Sequence, residues 1–354
     1  MRVAIDVQPL QAIGGIATYT LALLDHLPPG EALPYFAALR GRDRVDLADL
    51  RVAPWPARVA ERLWRRTGVR LPLAPAIPAD LLHGTNFLPP LSRLPTVITV
   101  HDLSALRHPA WHPPEMLRQA RLWADAARRA RRVVAVSEVV ARDVVGLLGI
   151  PPDRVRTVPL APTPLPAPDL SVLARLGLAG QPFILAVGAL EPRKNLPRLV
   201  EAFRACRAAS GHRLVLAGPH GDGARAVASA ARGEDRVLLA GRVTGAELAA
   251  LHGTAAVLAY PSLYEGFGLP PLDAMLAGVP VVASTAGSLP EVLGDAALLV
   301  EPTDTRALAS ALDRVLGDPA LAADLAARGR ERAAAYSWAR TADLTRAVYR
   351  EALR

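Results

Sequence analysis

The chain is short of several residue types, and each shortage removes a class of protein. A single cysteine, Cys206, in 354 residues has no partner for a disulfide. Its setting, Glu201-Ala-Phe-Arg-Ala-Cys-Arg, reads as a packed helix face rather than a reactive thiol. No apolar run approaches the roughly 18 residues that mark a membrane-spanning helix. The opening Met-Arg-Val-Ala-Ile-Asp-Val runs straight into a strand pattern, without the apolar core and small-residue cleavage site of a signal peptide, which predicts a cytoplasmic protein. Aromatics are 5% of residues, too few to interleave with basic side chains as stacking platforms for nucleic acid. A full G-x-G-x-x-G is missing, which argues against a nicotinamide dehydrogenase. No metal-ligand cluster or DxD-like carboxylate pair stands at a strand end.

Lysine is as scarce as cysteine: of 41 basic residues only Lys194 is a lysine. Arginine bias alone carries no function, but a lysine differs from arginine as a compact, flexible charge suited to phosphate. The charge that is present is uneven. Residues 1–166 hold 21 arginines against 14 acids, so +7 of the net +8 lies there. Nucleic acid, an anionic membrane or an anionic substrate would each suit such a half-molecule. Within it, Arg58, Arg62, Arg65 and Arg66 surround Val59 and Leu63 at helical spacing, with Trp64 adjacent, a pattern that fits a solvated surface helix or a helix lying on anionic lipid.

With 51% hydrophobic residues the chain is long enough for two cores. Apolar strands alternate with helical patterns on both sides of a proline-rich stretch, Pro159 to Pro168, which reads as a stiff linker. Alternation of this kind implies α/β architecture with two parallel-sheet, Rossmann-like domains facing a cleft. The boundaries fall at residues 1–165 and 166–335, with 336–354 as a helix returning to the first domain. In the first half, strand 2–7 leads through Gly14 and Gly15 to a helix, a layout that turns backbone N–H groups toward a phosphate. Strands also end at His83 and at His101-Asp102, where Asp102 could orient the imidazole or hold its proton. Residues 117–132 form a strongly basic helix. In the second half, strand 183–187 ends at Gly188, and Arg193, Lys194 and Asn195 precede a helix; charge and helix dipole together make an anion site. Further strands end at Gly218 and at Gly241, before Val243.

The densest signal is residues 260–278, Tyr-Pro-Ser-Leu-Tyr-Glu-Gly-Phe-Gly-Leu-Pro-Pro-Leu-Asp-Ala-Met-Leu-Ala-Gly. It reads as a strand end, a turn through Gly266, Phe267, Gly268 and Leu269, and a helix opened by Pro270 and Pro271. Glu265 lies in the loop and Asp273 in the first helical turn. Phosphate at a helix start, with carboxylates beside it to accept from hydroxyls, suggests a nucleotide sugar. An ordinary strand-turn-helix, with an acid complementing the dipole, accounts for the same residues.

The string YPSLYEGFGLPPLDAM resembles the donor-site signature of family 4 glycosyltransferases, whose two acids stand as E-x7-E. Here the second is Asp273, so the motif becomes E-x7-D. GALEPRKN resembles the diphosphate-binding motif of the same family, VITVHDLSALRHP its first-domain signature, and the Gly14-Gly15 loop its glycine loop; the resemblance covers nearly the whole chain. It implies the GT-B fold and a retaining, metal-free glycosyltransferase, similar to bacterial mannosyltransferases of cell-surface polysaccharide synthesis. It further implies a nucleotide diphosphate donor, GDP-mannose first and a UDP-sugar second, and a glycan or lipid-linked acceptor with peripheral contact to an anionic membrane. His101 and Asp102 would act with Arg193, Lys194 and Glu265 in catalysis. Gly14, Gly15, Gly188, Asn195, Val243, Gly266, Phe267, Gly268, Leu269 and Asp273 would bind the donor beside them. A nucleotide-sugar epimerase of the same fold and a basic nucleic-acid-binding protein stay open as alternatives.

Overall fold

A computed structural model of the protein describes residues 1–11, 14–36, 45–47, 49–52, 78–87 and 93–354. The basic helical pattern at residues 58–66 lies outside the described residues. Two compact units divide the chain: Met1–Leu160 with Ser337–Arg354, and Ala161–Tyr336.

In the first unit the strands are β1 (Val3–Asp6), β2 (Ala32–Phe36), β3 (Arg51–Val52), β4 (Leu81–Gly84), β5 (Thr96–Val100), β6 (Arg132–Ala135) and β7 (Val155–Thr157). They form one parallel sheet in the order β3-β2-β1-β4-β5-β6-β7. The second unit contains β8 (Phe183–Val187), β9 (Arg213–Ala217), β10 (Val237–Gly241), β11 (Val257–Tyr260), β12 (Val281–Ser284) and β13 (Leu298–Val300). These are parallel as well, in the order β10-β9-β8-β11-β12-β13. Every residue of β1, β4, β11 and β12 is buried, as expected for parallel strands covered on both faces, and this is why the sequence shows them as unbroken apolar runs rather than alternating ones.

Both sheets grow outward in two directions from a central pair, β1 with β4 in one and β8 with β11 in the other. In open α/β sheets the crevice beyond the carboxyl ends of such a pair is where ligands bind, because neighbouring connections leave in opposite directions there. In the second unit this places the loop after β8, carrying Gly188 to Lys194, beside the end of β11 at Tyr260 and the loop after it, which carries Glu265. The core beneath packs Leu199, Val200 and Phe203 of the helix Leu196–Ala205 with Leu308, Leu312 and Val315 of the helix Thr305–Gly317. Each such side chain contributes about 1.5 to 3 kcal/mol by leaving water.

In the first unit the C-terminal helix Trp338–Leu353 joins the sheet through a buried polar chain. His83 Nδ1 meets the Tyr349 hydroxyl at 2.7 Å and Nε2 meets Thr99 Oγ1 at 2.8 Å. Thr99 Oγ1 also meets the Tyr19 hydroxyl at 2.8 Å. Burial pushes His83 down to about 3, so the ring is neutral and donates from one nitrogen while accepting at the other.

Two boundaries differ from the sequence reading. The basic helix runs Pro114–Arg129 rather than over residues 117–132, and its exposed Arg118 and Arg128 pair with its own Glu115 and Asp125. The helix after Gly268 starts at Leu269, because prolines in the first turn need no N–H partner, so Asp273 is its fifth residue and lies just past the first turn in which the sequence placed it. Among the described residues no helix is long and apolar enough to cross a membrane.

Candidate functional site

The loop after β8 closes in a short 3-10 turn, Pro192–Lys194, and Asn195 follows with φ 57°, a left-handed conformation that asparagine tolerates. Its side-chain amide donates to the carbonyls of Pro261 and Pro302, at 3.1 and 2.7 Å. Asn195 therefore fixes the turn and ties it to the loop after β11. That turn aims two cations at one carboxylate. Lys194 Nζ donates to Glu265 Oε1 at 2.6 Å and to the Tyr260 hydroxyl at 2.7 Å. Arg193 Nη1 donates to Glu265 Oε2 at 3.1 Å, and its Nε to Glu191 at 2.9 Å.

Lys194 and Glu265 are each 7% exposed. Burial by itself would raise the Glu265 carboxyl, but Lys194 and Arg193 outweigh it and hold the group at about 2. Burial, with Arg193 adjacent, lowers the Lys194 ammonium from its ordinary value. The two acids, Glu191 and Glu265, balance the two cations. Such a cluster can exchange its internal carboxylates for an incoming dianion without carrying a bare buried charge. Gly188 is required for this packing: a Cβ there would stand 3.1 Å from the Lys194 side chain, at φ 146°.

The remaining second-unit residues named from the sequence surround this cluster or lie one loop away. Gly266 follows Glu265 and is buried, and Phe267 packs edge-on against Tyr336 with centroids 5.7 Å apart. Gly268, at φ 103°, caps the helix that Leu269 begins. Asp273 Oδ1 accepts from the backbone N–H of Thr163 at 2.7 Å, and burial pushes its carboxyl up to about 7. Val243 is half-buried after β10, next to a capping box made by Thr244 and Glu247.

In the first unit, Gly14 and Gly15 are exposed and open the helix Gly15–His26. His101 Nε2 donates to the Thr85 carbonyl at 2.8 Å, leaving Nδ1 as an acceptor, and Tyr19 meets the ring edge-on at 5.1 Å. Burial depresses the imidazole to about 4, so it is neutral near pH 7. The expected pairing of Asp102 with this imidazole is not made. Asp102 Oδ1 accepts from the N–H and hydroxyl of Ser104 at 2.9 and 2.7 Å, because a carboxylate two residues ahead of a helix start reaches its free donors more easily than it reaches back.

Sequence reasoning passed over Tyr260 and Glu191, which hold the two cations, and Ser288, described below. Glu191 was legible as an acid two residues from Arg193. Tyr260 gave no signal apart from ending a buried strand.

Residues 174–332 match the family described as Glycosyl transferases group 1, and residues 13–161 match Glycosyltransferase Family 4. The chain is 34% identical over 269 residues to the O-antigen chain mannosyltransferase B of Escherichia coli, spanning 73% of this chain and 71% of that one. It is 35% identical over 235 residues to the MMP alpha-(1->4)-mannosyltransferase of Mycolicibacterium hassiacum, spanning 64% of this chain and 56% of that protein. In three dimensions it is similar to sucrose-phosphate synthase from Thermosynechococcus elongatus, with a TM-score of 0.75 at 23% identity, over 99% of this chain and 98% of the other. The two parallel-sheet units are thus those of the GT-B fold, and the chain belongs to the family 4 glycosyltransferases.

Proposed function

We propose that the protein transfers mannose, with retention, from a nucleotide diphosphate donor to a glycan or lipid-linked acceptor in cell-surface polysaccharide synthesis. GDP-mannose is the first donor to test and a UDP-sugar the second. The observation that carries the reading is the pair Arg193 and Lys194 held on both oxygens of Glu265 at the central strand pair of the second unit. Two cations there neutralise the charge that builds on a departing diphosphate, which would let the reaction proceed without a metal. His101 would accept from a sugar hydroxyl at Nδ1, and Asp273 is assigned to the ribose. The names of the relatives supply mannose; the cluster itself supplies only the diphosphate.

A donor screen tests this reading. The donor, at 100 times its dissociation constant, should stabilise the chain by about 2.7 kcal/mol. With an acceptor present, nucleoside diphosphate should be released and the rate should be indifferent to a chelator. Recovery of an isomerised sugar without acceptor would replace transfer by epimerisation. No stabilisation by any nucleotide sugar would reject the reading.

The uneven charge supports peripheral contact with an anionic membrane, since +7 of +8 lies in residues 1–166. Each arginine near such a surface is worth about 1 kcal/mol. Replacing Arg62, Arg65 and Arg66 by Gln should cut sedimentation with anionic vesicles by about a hundredfold in partition coefficient, and raised salt should do the same. Equal partition onto neutral and anionic vesicles would favour a soluble acceptor.

A further inference from the structure

Glu265 stands on a loop, and a loop side chain holds a fixed position only if its backbone is tied down. The tie comes from the segment after β12. Ser288 is fully buried, and its hydroxyl lies 3.1 Å from the Glu265 carbonyl and 3.0 Å from that of Phe267, while its N–H donates to the Glu265 carbonyl at 3.0 Å. One residue earlier, Gly287 has φ 59°, and a Cβ on it would stand 2.3 Å from the Glu265 carbonyl oxygen and 2.7 Å from its nitrogen. The Ser284 hydroxyl donates to the Ser262 carbonyl at 2.5 Å, fixing the other end of the same loop. The backbone of residues 262 to 267 is thus gripped from the β12 side at its main-chain carbonyls.

We propose that Ser288 is the positioning residue for Glu265, and through it for the alignment of Lys194 and Arg193. The inference rests on the reading of that cluster as the diphosphate site, but its structural half can be tested without any donor. Lys194 is the only lysine in the sequence, so protein labelled with carbon-13 at lysine Cε reports one side-chain resonance, from the partner of Glu265.

The experiment compares the full-length wild type, Ser288→Ala, Glu265→Gln and the double variant. Ser288→Ala should displace the Lys194 resonance toward its position in Glu265→Gln. It should also lower turnover about tenfold, the effect of losing one positioned hydrogen bond. In the Glu265→Gln background it should change neither quantity further, because there is no carboxylate left to position. Ser288→Cys, similar in shape with a weaker donor, should fall between wild type and Ser288→Ala, which keeps the test open if the alanine variant folds poorly. A Lys194 resonance unmoved in the Ser288 variants, or an equal loss of turnover in both backgrounds, would overturn the proposal. If the donor reading itself were wrong, the wild type would show no turnover while the resonance displacement remained.

Discussion

Lys194→Ala should lower turnover by a hundredfold or more at saturating donor. The ammonium is the only lysine in a chain that otherwise uses arginine, and it sits 2.6 Å from Glu265 and 2.7 Å from the Tyr260 hydroxyl. Removing it takes one of two cations from the place where negative charge would build on the leaving diphosphate, and one such stabilising group is worth roughly 3 to 4 kcal/mol. Arg193 cannot compensate, because its guanidinium is already divided between Glu265 and Glu191. Lys194→Arg should recover little activity, since the position is 7% exposed and a planar fork does not fit where a tetrahedral ammonium is held. The measurement is steady-state kinetics with separate kcat and KM. Kinetics equal to wild type in Lys194→Ala would remove Lys194 from the reaction.

The second large effect is on stability. Glu265→Gln leaves Lys194 and Arg193 facing a neutral amide at a buried site, and breaking a buried pair by removing one partner costs about 3 to 5 kcal/mol. For a unit the size of Ala161–Tyr336 this lowers Tm by roughly 10 °C. The sign with pH follows from the direction of the displacement. A carboxyl held lower in the folded chain than in the unfolded one contributes fully above pH 4.5, and the contribution is lost as pH falls from 4.5 toward 2. The gap in Tm between wild type and Glu265→Gln should therefore be widest near neutrality and nearly closed at pH 2. Circular dichroism melts at several pH values check this. Equal melting at pH 7, or a gap that persists in acid, would mean that the ion pair contributes no net stability.

The sequence by itself determined the α/β alternation, the proline stretch and the residues of the cation site. Those signals are local. Fully buried parallel strands appear as apolar runs such as Val257–Tyr260, Pro270 and Pro271 mark the opening of a helix to within a residue, and a lone lysine beside an arginine after a strand-ending glycine is visible without any partner. Periodicity and capping act within a turn or two, so they can be read from neighbours alone.

Tertiary structure decided which side chains meet. Glu265 lies 71 residues from Lys194 in the chain, and only the pairing of β8 with β11 brings their loops together. The same pairing recruited Tyr260, and the segment after the neighbouring strand β12 supplied Ser288, neither of which carries a local signal of its role. Asp102 and Asp273 show the converse. Their sequence settings suggested an imidazole and a helix start, but the one accepts from Ser104 and the other from the backbone of Thr163, 110 residues away. A carboxylate takes the donor that the folded backbone places nearest, and where the donor is a main-chain N–H, available on almost any residue, the sequence carries no trace of the choice.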